Sequence, residues 1–217
     1  MPEAHPVPAE RSPDAFAVLG EPRLPAPDLD ALQAKFHALA AAFHPDRSHG
    51  AGAEDRASAN VRFAALSAAY ARLREPKERL AHLLALELGA KPPDVQRIPP
   101  GTMAVFAEVG AVCRAADVLL AARSAAASPM QRWQSFEQGI ELVARIQTVK
   151  ASVRERELAT LDEVAAMNAA WQSAPPIGDP ARPAALPLTR LAELSQLLGY
   201  FARWSAQLEE RRTRLAC

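Results

Sequence analysis

Phe43-His44-Pro45-Asp46-Arg47 interrupts two runs of helical spacing. Upstream, Leu29, Leu32, Phe36, Leu39 and Phe43 recur at steps of three and four, which places them on one helix face. Asp28 predicts the N-cap of that helix. Pro45 predicts its end, because a residue that precedes proline avoids the α region. Downstream, Asp46 to Gly52 is polar and carries two glycines, a loop composition. Phe63, Leu66, Tyr70 and Leu73 then form a second stripe. Two amphipathic helices joined by a short loop predict an antiparallel hairpin with His44-Pro45-Asp46 at its turn.

Further out, the punctuation stays helical. Phe16 and Leu19 lie in a short segment that Ser12-Pro13-Asp14 can cap and Gly20 can close. Pro76 predicts the first turn of a fourth helix, with Leu80, Leu83, Leu84 and Leu88 on its face and Gly89 after it. Of 19 prolines, seven precede Asp28, four lie between Lys91 and Gly101, and five between Ala174 and Leu188. Proline is excluded from helix interiors, so these clusters mark the joints.

We therefore expect a proline-rich, disordered lead over 1–11, a four-helix domain over 12–89 and a stiff linker over 90–101, with a three-helix bundle over 102–217. In the bundle, Met103, Phe106, Val109, Cys113 and Leu120 predict a first helix ending near Ser128. Pro129 can open a second, which could run to about Gln172 with only Gly139 to interrupt it. Such a length leaves open one helix or two, or a projecting arm. After a proline-rich loop over 174–187, Leu188, Leu191, Leu194/Ser195, Leu198, Phe201, Ser205 and Leu208 repeat nearly as a coiled-coil heptad. Arg211-Arg212-Thr213-Arg214 suits the negative pole of a helix.

Composition supports an all-α chain and narrows its function. Roughly one residue in five is alanine, the best helix former. The 25 Lys+Arg balance 25 Asp+Glu, which argues against nucleic acid or anionic membrane as partner. No apolar run is long enough to span a bilayer, and the first residues resemble neither a secretory signal nor a transit peptide. Two cysteines, Cys113 and Cys217, build neither a zinc site nor a disulfide framework, so the expected location is cytoplasmic. Nucleophile–base pairs, phosphate loops and paired acids are not recognisable, so we expect no enzyme and no cofactor. A metal site from His44, Asp46 and His49 is the third reading, weaker because a loop gives such ligands little support.

The hairpin context gives the tripeptide its meaning. Phe16-Ala17-Val18-Leu19-Gly20, the 29–43 stripe, His44-Pro45-Asp46, Ala68-Ala69-Tyr70 and Leu73-Arg74-Glu75-Pro76 together resemble the J-domain of DnaJ-type co-chaperones. Asp28-Leu29-Asp30-Ala31-Leu32, Phe43 to Arg47, Leu80-Ala81-His82-Leu83-Leu84 and the closing Leu198-Gly199-Tyr200-Phe201-Ala202-Arg203-Trp204 are similar to the HscB family. That family joins a J-domain to a C-terminal three-helix bundle. The resemblance implies a co-chaperone that stimulates the ATPase of a DnaK/HscA-class chaperone and presents the iron–sulfur cluster scaffold protein as client.

On that resemblance, His44, Pro45 and Asp46 would contact the chaperone, with Asp46 offering a charge-assisted bond to an arginine and Lys35 and Arg47 adding positive charge. Ala38, Ala40, Ala41 and Ala42 stand where relatives are often polar or basic. The client face would use Met103, Phe106, Glu108 and Tyr200; Ala104, Ala107 and Ala111 replace other residues of the acidic set. Spacing alone reads Met103 and Phe106 as core, Cys113 as core, and His37 and His82 as surface or half-buried. An alternative from another class also stands: an interaction protein that keeps a J-like hairpin and self-associates through its C-terminal bundle.

Overall fold

The structure is a computed structural model that describes residues 13–43, 52–90 and 101–216. His44, Pro45, Asp46, Arg47 and His49 lie outside the described residues, as do the 1–11 lead and the proline pairs of the linker. Among the described residues all regular structure is helical, and the chain divides into two compact units, residues 1–90 and 91–217.

The first unit holds α1 (Ala15–Leu19), α2 (Leu29–Ala42), α3 (Ala53–Arg74) and α4 (Pro76–Leu88). The expected caps form. Asp14 Oδ1 accepts the N–H groups of Phe16 and Ala17, and Asp28 Oδ1 accepts those of Asp30 and Ala31. Each such cap stabilises its helix by about 1 kcal/mol. Gly20 closes α1 at φ 62°, a left-handed conformation that suits glycine. Helix α3 packs against α1, α2 and α4. The core gathers Phe16, Leu19, Leu32, Leu66, Leu73, Leu80, Leu83 and Leu84, each side chain contributing about 1.5–3 kcal/mol on burial.

Two details depart from the spacing. Only Leu32 of the α2 stripe is buried, while Phe36, Leu39 and Phe43 are half-buried and Leu29 is 43% exposed. The extensive contact of α2 is with α3 alone, so a single turn reaches the shared core. His82 is buried, neither surface nor half-buried as expected. Its Nε2 accepts the N–H of Ala15 and its ring stacks on Phe16, 6.0 Å between centroids. Beside it Arg79, also buried, donates from Nε to Pro25 O and from Nη1 to Leu73 O. This guanidinium supplies donors to one carbonyl of the last turn of α3 and one of the loop before α2.

In the second unit α5 (Met103–Ala125), α6 (Pro129–Ala166) and α9 (Leu188–Ala216) pack against one another as a three-helix bundle. Ser128 caps α6 with a reciprocal Gln131 bond, and Pro129 takes the first turn. The long α6 runs 38 residues, through Gly139, and breaks at Met167 before α7 (Asn168–Ser173). The 174–187 loop carries one turn of helix, α8 (Arg182–Ala185), and Arg182 Nη1 donates to Pro175 O across it. Glu163 with Arg190 and Lys150 with Glu209 join α6 to α9 in antiparallel order. Asp117 with Arg211, and Arg123 donating to Leu215 O, join α5 to α9 in parallel order.

The buried face of α5 is rotated from the one that bulk suggested. Val105, Val109, Val112, Cys113, Ala116 and Leu119 face inward, whereas Met103 is 58% and Phe106 43% exposed. Close approach of alanine-rich helices favours small and β-branched residues at the contact, leaving the larger ones outside. Cys113 is in the core as expected, and burial pushes its thiol up from the usual value. The near-heptad of α9 also turns inward: Leu188, Leu191, Leu194, Leu198, Phe201 and Leu208 are buried within the bundle. That stripe is therefore consumed by the fold and is not free for self-association.

Candidate functional site

The hairpin is held by aromatic contacts. Phe36 stacks on Tyr70 with centroids 4.4 Å apart and planes within 8°, and the Arg62 guanidinium lies 5.7 Å from the centre of the Phe43 ring. Later positions on α2 thus meet earlier positions on α3, which fixes the helices as antiparallel. The described end of α2 is Phe43, and α3 begins at Ala53. The chain between them contains the tripeptide. Lys35, expected to add positive charge, donates from Nζ to Gly20 O at 2.5 Å and to Glu21 Oε1 at 2.8 Å. It thereby ties α2 to the turn after α1 while its side chain remains 41% exposed. His37 is exposed on the same helix. Arg62 was not legible as a member of this region, because its contact with Phe43 depends on the hairpin register.

The second region lies on α5 and α9. Met103, Phe106 and Glu108 are exposed on α5, and Tyr200 is half-buried on α9. Trp204, 4% exposed, brings two of these together: its ring lies 6.2 Å from Phe106 and 5.7 Å from Tyr200. Arg203 places its guanidinium 4.6 Å from the centre of the Tyr200 ring and donates from Nε to Gly199 O. The result is an aromatic surface on a rigid floor, with a cation at one edge. Such a surface can hold an apolar segment of a protein partner. Met103 and Glu108 are exposed on the same helix, three residues before and two after Phe106. Trp204 and Arg203 are the residues that spacing did not assign here.

Among the described residues no group of three or more His, Cys, Asp and Glu could hold a metal ion, and no helix is long and apolar enough to cross a membrane. The architecture is that of a J-domain joined to a helical bundle, the HscB-type fold. Among solved structures the chain is similar to the chaperone HscB from Vibrio cholerae, with a TM-score of 0.58 at 19% identity. The likeness covers 93% of this chain and 99% of that one. No protein-family model and no curated protein matches the chain.

Proposed function

We propose that this protein is a co-chaperone that stimulates a DnaK/HscA-class ATPase and presents a client, the iron–sulfur cluster scaffold protein. The observation that carries the reading is the place of His44-Pro45-Asp46 in the sequence, between α2 and α3 of a fold like that of HscB. Asp46 supplies a carboxylate for a charge-assisted bond to an arginine of the chaperone, and His44 and Pro45 restrict the backbone that carries it. Arg47 adds positive charge next to Asp46 in sequence, and Lys35, paired with Glu21, adds charge further back on α2. The chain makes and breaks no covalent bond; it biases the ATPase by binding one of its states better than another. Met103, Phe106, Glu108 and Tyr200 form the client surface, with Trp204 beneath. The site of action is the cytoplasm.

Asp46→Asn tests this, since it keeps the shape and removes the charge. Stimulation of a DnaK-class ATPase from the same source is lost while circular dichroism is unchanged. A wild-type protein that stimulates no such ATPase overturns the proposal. Met103→Ala with Phe106→Ala tests the client: capture of the scaffold protein falls while ATPase stimulation without client persists.

A further inference from the structure

The first turns of α6 carry their polarity inside out. Ser135 and Gly139 face the core, while Met130, Trp133, Phe136 and Ile140 are 68, 61, 53 and 58% exposed. A helix in a self-sufficient bundle does the reverse. Trp133 and Phe136 sit with ring centroids 6.1 Å apart, so the exposed groups are contiguous. With aromatic side chains of about 150–250 Å² each, the patch amounts to roughly 500 Å², at the upper end of what a monomer shows.

The order of residues says what covers it. Trp133, Phe136, Ile140 and half-buried Val143 step by three, four and three, the a and d positions of a two-heptad seam. Arg132 then falls at a g position and Glu137 at the next e position. In a parallel pair of helices, g of one strand lies beside that e of the other. Among the described residues neither Arg132 nor Glu137 makes an ion pair within the chain. The seam is therefore complementary to itself in one orientation. Two copies would bury about 1,000 Å² in all, the threshold for a specific interface.

We propose that this face is a homodimer interface, in which a second copy lays its own α6 alongside in parallel. Trp133, Phe136, Ile140 and Val143 meet their counterparts, and Arg132 of each copy pairs with Glu137 of the other. The seam uses none of the residues assigned to the client surface or the chaperone loop, so it does not depend on the proposed co-chaperone activity.

Sedimentation equilibrium of the full chain between about 1 and 100 μM reads the dissociation constant directly. A concentration-dependent dimer is expected. Trp133→Ser with Phe136→Ser abolishes it at every concentration with unchanged helical circular dichroism, as both positions are exposed. Arg132→Glu and Glu137→Arg each weaken the dimer roughly tenfold, because two symmetric pairs turn repulsive. The double swap returns it to near the wild-type value. A protein monomeric throughout, a dimer that survives the serine variant, or a double swap without rescue overturns the proposal.

Discussion

The backbone N–H of Ala15 donates to Nε2 of His82 at 3.0 Å, although the two residues are 67 positions apart. This bond fastens the first turn of α1 to α4. It requires a neutral imidazole with its proton on Nδ1, since Nε2 must accept. Burial lowers the His82 pKa most, the Arg72 charge adds to this, Asp14 opposes it, and Arg23 lowers it again.

A pH dependence follows. The folded pKa lies below the unfolded value of about 6.5, so this contribution is complete above that value. It is lost as pH falls through the folded pKa. His82→Gln keeps an acceptor that does not titrate. The protection factors of the α1 amides, corrected for the intrinsic fall in exchange rate, are therefore expected to drop on acidification in the wild type and to change less in the variant. Parallel responses in the two proteins would rule out this role.

Arg79 is the second interior fastener of the first unit. Burial lowers its pKa to about 10, against a smaller opposing effect of Glu75, so it stays charged near neutrality. Arg79→Met leaves Pro25 O and Leu73 O without their donor and is expected to destabilise the unit by about 2–4 kcal/mol. Arg79→Lys loses nearly as much, because a single ammonium cannot reproduce the planar fork. Loss of exchange protection in α4 measures both.

Phe106 and Trp204 touch, yet their truncations separate binding from stability. Trp204→Ala removes a ring that is 4% exposed and is expected to cost about 3–5 kcal/mol. Phe106→Ala, at a position 43% exposed, costs about 1–1.7 kcal/mol. Denaturant titration of the bundle checks the contrast, and only the Phe106 variant is a clean probe of client capture.

Gly139 offers a stabilising change. It lies mid-helix in α6, and a Cβ added there meets no atom within 4 Å. Gly139→Ala is expected to stabilise the bundle by roughly 0.5–1 kcal/mol, by restricting the unfolded chain and favouring helix. A rise in the bundle's melting temperature tests it.

The helices were legible where local chemistry decides them. Asp14, Asp28, Pro76 and Gly89 mark boundaries because caps and breakers act within a turn of their own position. The buried face of α5 was not legible, since Val105 and Ala116 are chosen by how closely neighbouring helices approach. His82 was missed for the same reason: its partner is fixed by the fold of the whole unit, and no spacing rule joins position 15 to 82. The break at Met167 carries neither glycine nor proline. On the aromatic surface of the bundle Phe106 and Tyr200 were named, but Trp204, which joins them, becomes visible only once α5 and α9 lie side by side.

All three tryptophans, Trp133, Trp171 and Trp204, belong to the second unit, with exposures of 61, 4 and 4%. Indole emission is thus a reporter of the bundle, and the first unit is optically silent to it. Trp171 and Trp204 emit from an apolar interior and follow unfolding. Trp133 emits from water, so a soluble quencher reaches it selectively. Its shielding at rising protein concentration would give the proposed seam a native spectroscopic signal, with no label attached.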